Sequence, residues 1–140
     1  MAVYDTFEFG LEDDCPFCDI VRKGDCTFSD DLIVACFEPL NPVTDGHMLF
    51  IPTVHAEHRM RFNLGSISIE QVLYVAHQYA IKQESDFNLI TSSGPSATQT
   101  IDHIHVHYVP RLENDGLKLP WTGQLYLREA PENDEVSSAE

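Results

Sequence analysis

Three histidines at alternate positions in the last third of the chain limit its fold and chemistry more than any other feature. Residues 102–111 read Asp-His-Ile-His-Val-His-Tyr-Val-Pro-Arg, so that His103, His105 and His107 are separated by single apolar residues. Successive side chains of a β-strand point to opposite faces, which places the three imidazoles together on one face. The alternation predicts a half-buried strand over 103–109 with a row of histidines on its polar face.

The row of histidines has two functional interpretations. Imidazole is a nucleophile and an acid or base near neutral pH, which favours catalysis by covalent or proton transfer. It is also a common metal ligand, so a catalytic metal stripe is a second, less favoured interpretation of the row. A solvated row without function is less favoured, because three histidines at strict spacing seldom arise by chance.

A second motif lies near the N-terminus, where Cys15 and Cys18 form a C-x-x-C. This spacing suits either zinc chelation or thiol redox chemistry. A redox motif of the thioredoxin type follows a strand, whereas Leu-Glu-Asp-Asp at 11–14 has no strand pattern. Structural zinc takes four Cys or His ligands, and His55 with one histidine of the row completes a Cys₂His₂ set. Zinc is therefore favoured over a redox pair or a site without metal.

Composition excludes several classes of protein. The 140 residues suit one domain, and no stretch approaches the length of apolar residues that spans a bilayer, so no membrane partner is expected. A formal net charge of −15 argues against nucleic-acid binding. Four cysteines, two of them assigned to zinc, favour a reducing cytoplasmic location over a disulfide scaffold. Acidic ends predict an N-terminal segment at 1–14, a domain at 15–127 and a disordered acidic tail at 128–140.

Hydrophobic patterns predict an α+β fold built on an antiparallel sheet with one long helix. The helix is expected to begin near Ser68, where Ser-Ile-Glu-Gln resembles a capping box. The polar loop at 92–100 is too long for a tight hairpin, which indicates a loop that wraps a ligand. The predicted strands cover residues 32–37, 48–51, 87–91 and 103–109, and a short helical turn is predicted at 18–23.

Four segments together resemble the histidine triad (HIT) family of nucleotidyl hydrolases and transferases. They are Cys-Pro-Phe-Cys-Asp-Ile at 15–20, Gly-His-Met-Leu-Phe-Ile-Pro at 46–52, Gly-Pro-Ser-Ala-Thr-Gln-Thr at 94–100 and the row of histidines. They occur in the family's order, and the first resembles the zinc-binding, phosphoramidase-like branch. The resemblance implies a HIT-like fold and a homodimer in which two sheets become continuous.

The resemblance also implies a reaction. His105, the middle histidine, would attack the α-phosphorus of a nucleotide and form a covalent nucleotidyl-histidine, which water then hydrolyses. His107 and His47 would donate to the phosphate, and Gln99 and Thr100 would contact phosphate and leaving group. Structural zinc would be the cofactor, and its implied ligands are Cys15, Cys18, His55 and His103.

The implied substrate is a purine nucleoside phosphate conjugate, with phosphoramidates preferred and dinucleoside polyphosphates second. A zinc-stabilised nucleotide-binding or sensor module without turnover is the alternative. Pro39 occupies the place of the acidic residue with which many members hold the ribose, and Ser92 stands where asparagine is common. The implied nucleotide-binding residues are Phe17, Ile20, Phe37 and Leu40 for the base, Asn41 for the ribose, and Ser92 and Thr100 in the loop.

Overall fold

A five-stranded antiparallel sheet organises the part of the chain that the structure, a computed structural model, describes: residues 10–58 and 69–122. The strands lie side by side in the order β1-β2-β3-β5-β4. Two α-helices and a short 3₁₀ turn at Pro95–Ala97 complete the described part, so the predicted α+β fold is confirmed. The strands are β1 at Thr27–Phe28, β2 at Val34–Phe37, β3 at Met48–Pro52, β4 at Phe87–Ile90 and β5 at Val106–Pro110; the helices are α1 at Pro16–Lys23 and α2 at Ile69–Lys82.

Helix α1 covers one face of the sheet directly after the first cysteine. Pro16 at its start and the left-handed Gly24 after its end (φ 71°) fix both boundaries, so it begins two residues before the predicted turn. Its buried side places Cys18 and Phe17 against β2 and β3. This packing brings the C-x-x-C segment onto the face of the sheet from which His107 projects.

Helix α2 covers the opposite face. Its buried residues are small or β-branched, which lets the helix approach Phe50, Val106 and Tyr108 of the sheet closely. Alternate side chains of β3 therefore pack on opposite faces of the sheet: Leu49 lies in the hydrophobic cluster with α1 and Phe50 in the cluster with α2. Ser68 of the predicted capping box lies outside the described residues.

Two predicted strands begin later than expected. β2 starts at Val34, because Leu32 adopts a left-handed φ of 61° that a strand does not accept. β5 starts at Val106 and not at His103. The predicted tail at 128–140 lies outside the described residues, and the domain boundaries stay predictions. Among the helices of the described ranges, none is long and apolar enough to cross a bilayer.

Candidate active site and metal cluster

The segment that leads into β5 carries the first two histidines of the row. Its backbone bonds to residues outside the sheet: the Ile104 N–H donates to the carbonyl of Ala56 at 2.7 Å. Phe17 of α1 lies over this segment, with its ring centroid 5.8 Å from that of His103 and 5.2 Å from that of His105. The prediction that all three histidines lie on the polar face of one strand over 103–109 is therefore wrong: His103 and His105 precede the strand and are buried, and only His107 lies on it.

His105 is held in one tautomer by its own backbone. Its Nδ1 lies 2.8 Å from the carbonyl oxygen of His103, and a carbonyl only accepts, so Nδ1 carries the proton. Burial lowers the pKa of His105, which keeps the ring neutral at pH 7. Nε2 therefore has an unprotonated lone pair, which is the state a nucleophile requires.

His47 and His107 form a hydrogen-bonded pair whose proton positions follow from the backbone. The Val43 N–H donates to Nδ1 of His47 at 3.1 Å, so the neutral His47 carries its proton on Nε2. That Nε2 lies 2.9 Å from Nδ1 of His107 and donates to it, which leaves the proton of His107 on its own Nε2. Burial, with the neighbouring His105 and His47, lowers the pKa of His107 to about 4. At pH 7 the pair presents a neutral N–H donor.

The two cysteines of the C-x-x-C meet two histidines in one cluster. Nδ1 of His103 lies 3.4 Å from Sγ of Cys15 and 3.5 Å from Sγ of Cys18, and Nδ1 of His55 lies 3.4 Å from Sγ of Cys18. All four ligand atoms lie within 4.8 Å of one another. In tetrahedral zinc, with bonds of about 2.3 Å to sulfur and about 2.1 Å to nitrogen, sulfur and nitrogen lie about 3.6 Å apart. The four predicted ligands are thus assembled at distances that fit such an ion.

Oxygen atoms on the outer side of the cluster lie beside Nε2 of its two histidines and orient their rings. His103 donates from Nε2 to the carbonyl of Pro52 at 3.1 Å, and Nε2 of His55 lies 3.2 Å from Glu57 and 3.4 Å from Glu12. Both rings therefore direct Nδ1 toward the cysteines and Nε2 toward oxygen acceptors, as the histidines of metal sites commonly do.

Cys18 is the more deeply buried of the two cysteines in the cluster, and burial changes the pKa of its thiol. Desolvation raises the pKa of Cys18 to about 12, so a thiolate at this position requires a cation beside it. In the described part of the chain, His105 and His107 belong to no such cluster, which favours the nucleophile over the metal stripe as the interpretation of the row.

The predicted contacts to phosphate and leaving group are only partly assembled. Gln99 uses its side chain within its own loop: Oε1 accepts from the Gly94 N–H at 2.8 Å, and Nε2 donates to the carbonyl of Ile101 at 3.0 Å. Gln99 and Thr100 nevertheless line a cavity of about 370 Å³ together with His58. In this structure Gln99 shapes the loop, and its amide is not directed at His105.

The predicted base slot is also divided. The rings of Phe17 and Phe37 meet at 5.4 Å, and Ile20 packs against the same hydrophobic cluster, in which Phe17 and Phe37 are buried. Leu40 is 100% exposed and Asn41 is also exposed, and neither belongs to that cluster. The turn-rich segment after β2 leads Leu40 into solvent in this structure, and its role at the base stays a prediction.

Sequence reasoning missed two residues near His105. Thr91 donates its hydroxyl to the carbonyl of His105 at 2.8 Å, and His58 lies 3.3 Å from the same hydroxyl. No motif distinguishes either residue, since their importance depends on the approach of β4 to the segment before β5.

The fold and the three-histidine segment define a histidine triad protein. The chain belongs to the HIT family: the HIT domain matches residues 21–114. The adenylylsulfatase HINT3 of Arabidopsis thaliana is 31% identical over 134 residues, which cover 91% of this chain and 66% of that protein. The adenosine 5'-monophosphoramidase HNT1 of Saccharomyces cerevisiae is 27% identical over 118 residues, which cover 81% of this chain and 73% of the yeast protein.

Solved structures agree with the fold. SMU.412c of Streptococcus mutans superposes with a TM-score of 0.64 at 27% identity, over 89% of this chain and 80% of that one. A Zn-bound histidine triad family protein of Mycobacterium smegmatis superposes with a TM-score of 0.56 at 29% identity, over 75% of this chain and 80% of that one.

Proposed function

We propose that the chain is a nucleotide hydrolase that forms a covalent nucleotidyl-histidine on His105. The observation that carries this proposal is the tautomer of His105, whose Nδ1 bond to the carbonyl of His103 leaves Nε2 unprotonated. Burial keeps this ring neutral, and the ring of Phe17 packs against it with centroids 5.2 Å apart, which restrains its orientation. These features match what a nucleophilic histidine needs.

The chemistry has two balanced steps. Nε2 of His105 attacks the α-phosphorus, a phosphorus–nitrogen bond to the enzyme forms, and the bond to the leaving group breaks as that group takes up a proton. Water then attacks the same phosphorus, gives up a proton, and releases the nucleoside monophosphate and free His105. The N–H at Nε2 of His107 is the donor best placed by its tautomer to stabilise charge on the phosphate oxygens.

The preferred substrate is an adenosine phosphoramidate. The activities for which two relatives are named, adenylylsulfatase and adenosine 5'-monophosphoramidase, support an adenosine nucleotide whose phosphate is joined to a non-nucleotide leaving group. Dinucleoside polyphosphates come second.

Intact-mass measurement of the protein mixed with nucleoside phosphoramidates and dinucleoside polyphosphates tests this function. We expect an adduct of one adenosine monophosphate to accumulate within a turnover and then disappear, because the covalent species is an intermediate. Nucleotide binding without any adduct, across the panel, would contradict the enzyme and favour the sensor module without turnover.

We also propose that Cys15, Cys18, His55 and His103 hold zinc. The spacing of the four ligand atoms and the outer acceptors on both histidines support this assignment. When bound, the ion would tie α1 to the segment that carries His105. Its role would be structural, because all four tetrahedral positions are taken by protein ligands.

A homodimer is the proposed assembly. β4 pairs with β5 on one side, and within the described ranges no strand lies on its other side. An edge of this kind is a ready template for a second copy, which would make the two sheets continuous. Light scattering after size-exclusion chromatography should give twice the 15.8 kDa of one chain. A single-chain mass at micromolar concentration would contradict the dimer.

A further inference from the structure

The backbone carbonyl of His105, the proposed nucleophile, accepts a hydrogen bond from a side chain, that of Thr91. The ladder between β4 and β5 ends at the pair Ile90 and His107. One residue after β4, the Thr91 hydroxyl donates to the carbonyl of His105 at 2.8 Å. This hydrogen bond continues the connection between the two strands beyond the last ladder pair.

The position of this bond matters because His105 lies before β5. The neighbouring Ile104 N–H is fixed on the carbonyl of Ala56 and the ring of His105 on the carbonyl of His103, so these bonds restrain the segment on its other sides. Val106 is paired with Phe50 of β3, so the Thr91 bond is the restraint on the β4 side of the peptide between His105 and Val106. Displacements of about 1 Å at a reacting group are known to cost up to about a hundredfold in rate.

We propose that Thr91 is a positioning residue for His105, and that His58 acts through Thr91 by fixing its hydroxyl; this inference rests on the proposed nucleophilic role of His105. A hydroxyl has one proton, and Thr91 gives it to the carbonyl of His105. The contact of 3.3 Å to Nε2 of His58 must therefore be one in which His58 donates and Thr91 accepts. His58 selects the rotamer in which the hydroxyl points at His105.

The decisive variant is Thr91→Val, which keeps the shape of the side chain and removes the hydroxyl. Thr91 is exposed, so the variant is expected to fold. The rate constant of adduct formation with an adenosine phosphoramidate should fall about tenfold with little change in the half-saturating substrate concentration, because positioning affects the chemical step. Thr91→Ser should restore most of the rate, since serine retains the hydroxyl.

Thr53→Val is the matched control. Thr53 is buried and donates its hydroxyl to the carbonyl of Leu32 at 2.7 Å, so this change removes the same type of bond between the end of β3 and the segment before β2. It should lower the melting temperature without slowing adduct formation. Zinc content and melting temperature are measured for every variant, so that a loss of fold is separated from a loss of position.

The contribution of His58 is tested in a double-mutant cycle. His58→Ala should slow adduct formation less than Thr91→Val does, and adding it to Thr91→Val should cause no further loss. Thr91→Val at the wild-type rate, or a rate that Thr91→Ser fails to restore, overturns the positioning role. A double variant slower than Thr91→Val overturns the indirect role of His58. A wild type that forms no adduct contradicts the proposed function itself, which is a distinguishable result.

Discussion

Replacing His105 with alanine is expected to lower turnover by at least about a thousandfold while nucleotide affinity stays within about tenfold of the wild type. The change removes the nucleophile and so the covalent route, a loss felt in the transition state. The paired rings of Phe17 and Phe37 and the hydrogen-bonded pair of His47 and His107 remain, so the nucleotide should still bind. Steady-state kinetics and calorimetric titration with the product nucleotide measure the two quantities.

Two further variants and one measurement of zinc content test this expectation. His107→Ala should weaken both turnover and affinity, because the Nε2 donor would contact phosphate in the ground state too. His77→Ala removes an exposed histidine of α2 and should leave both unchanged. His105→Ala should retain its zinc, since His105 belongs to no metal cluster in the described residues. A folded His105→Ala protein with near-normal hydrolysis would contradict a nucleotidyl-histidine mechanism for this chain.

The sequence was most informative where the chemistry of a residue restricts its environment. Cys15, Cys18 and His55 were predicted as metal ligands from their types and spacing, and the structure brings their ligand atoms together with that of His103. The sheet was predictable in the same way, because apolar runs such as Leu49 to Ile51 must be buried.

The failures have a common physical cause, which is tertiary contact with residues distant in sequence. Alternation predicted His103 as the first residue of a strand with the histidines on its polar face, whereas Phe17 packs on His103 and the carbonyl of Ala56 accepts the backbone bond of Ile104. Tautomers are equally invisible to a sequence pattern. The proton of His107 is placed by a backbone N–H at Val43, which no side-chain motif records.

Replacing Cys15 with serine is expected to lower zinc content and thermal stability together. Structural zinc contributes its binding free energy to folding, so loss of one ligand should cost about 3 to 5 kcal/mol and lower the melting temperature by about ten degrees. Cys15 is buried beside His103, and the ion would join α1 to the segment before β5. His55→Ala should have a similar effect from the other side of the cluster. Elemental analysis and calorimetry measure both quantities.

Cys26→Ser is the matched control for the zinc prediction. Cys26 is a free, half-buried thiol outside the cluster, so its replacement makes the same chemical change without removing a ligand, and zinc content should stay at the wild-type level. Adduct formation in Cys15→Ser should slow only as far as the segment carrying His105 loses its anchor, and excess zinc should restore part of it. Wild-type protein purified without chelator that contains no zinc would contradict the metal assignment. The tautomer of His105 would still stand in that case, because it depends on the carbonyl of His103 and not on a metal.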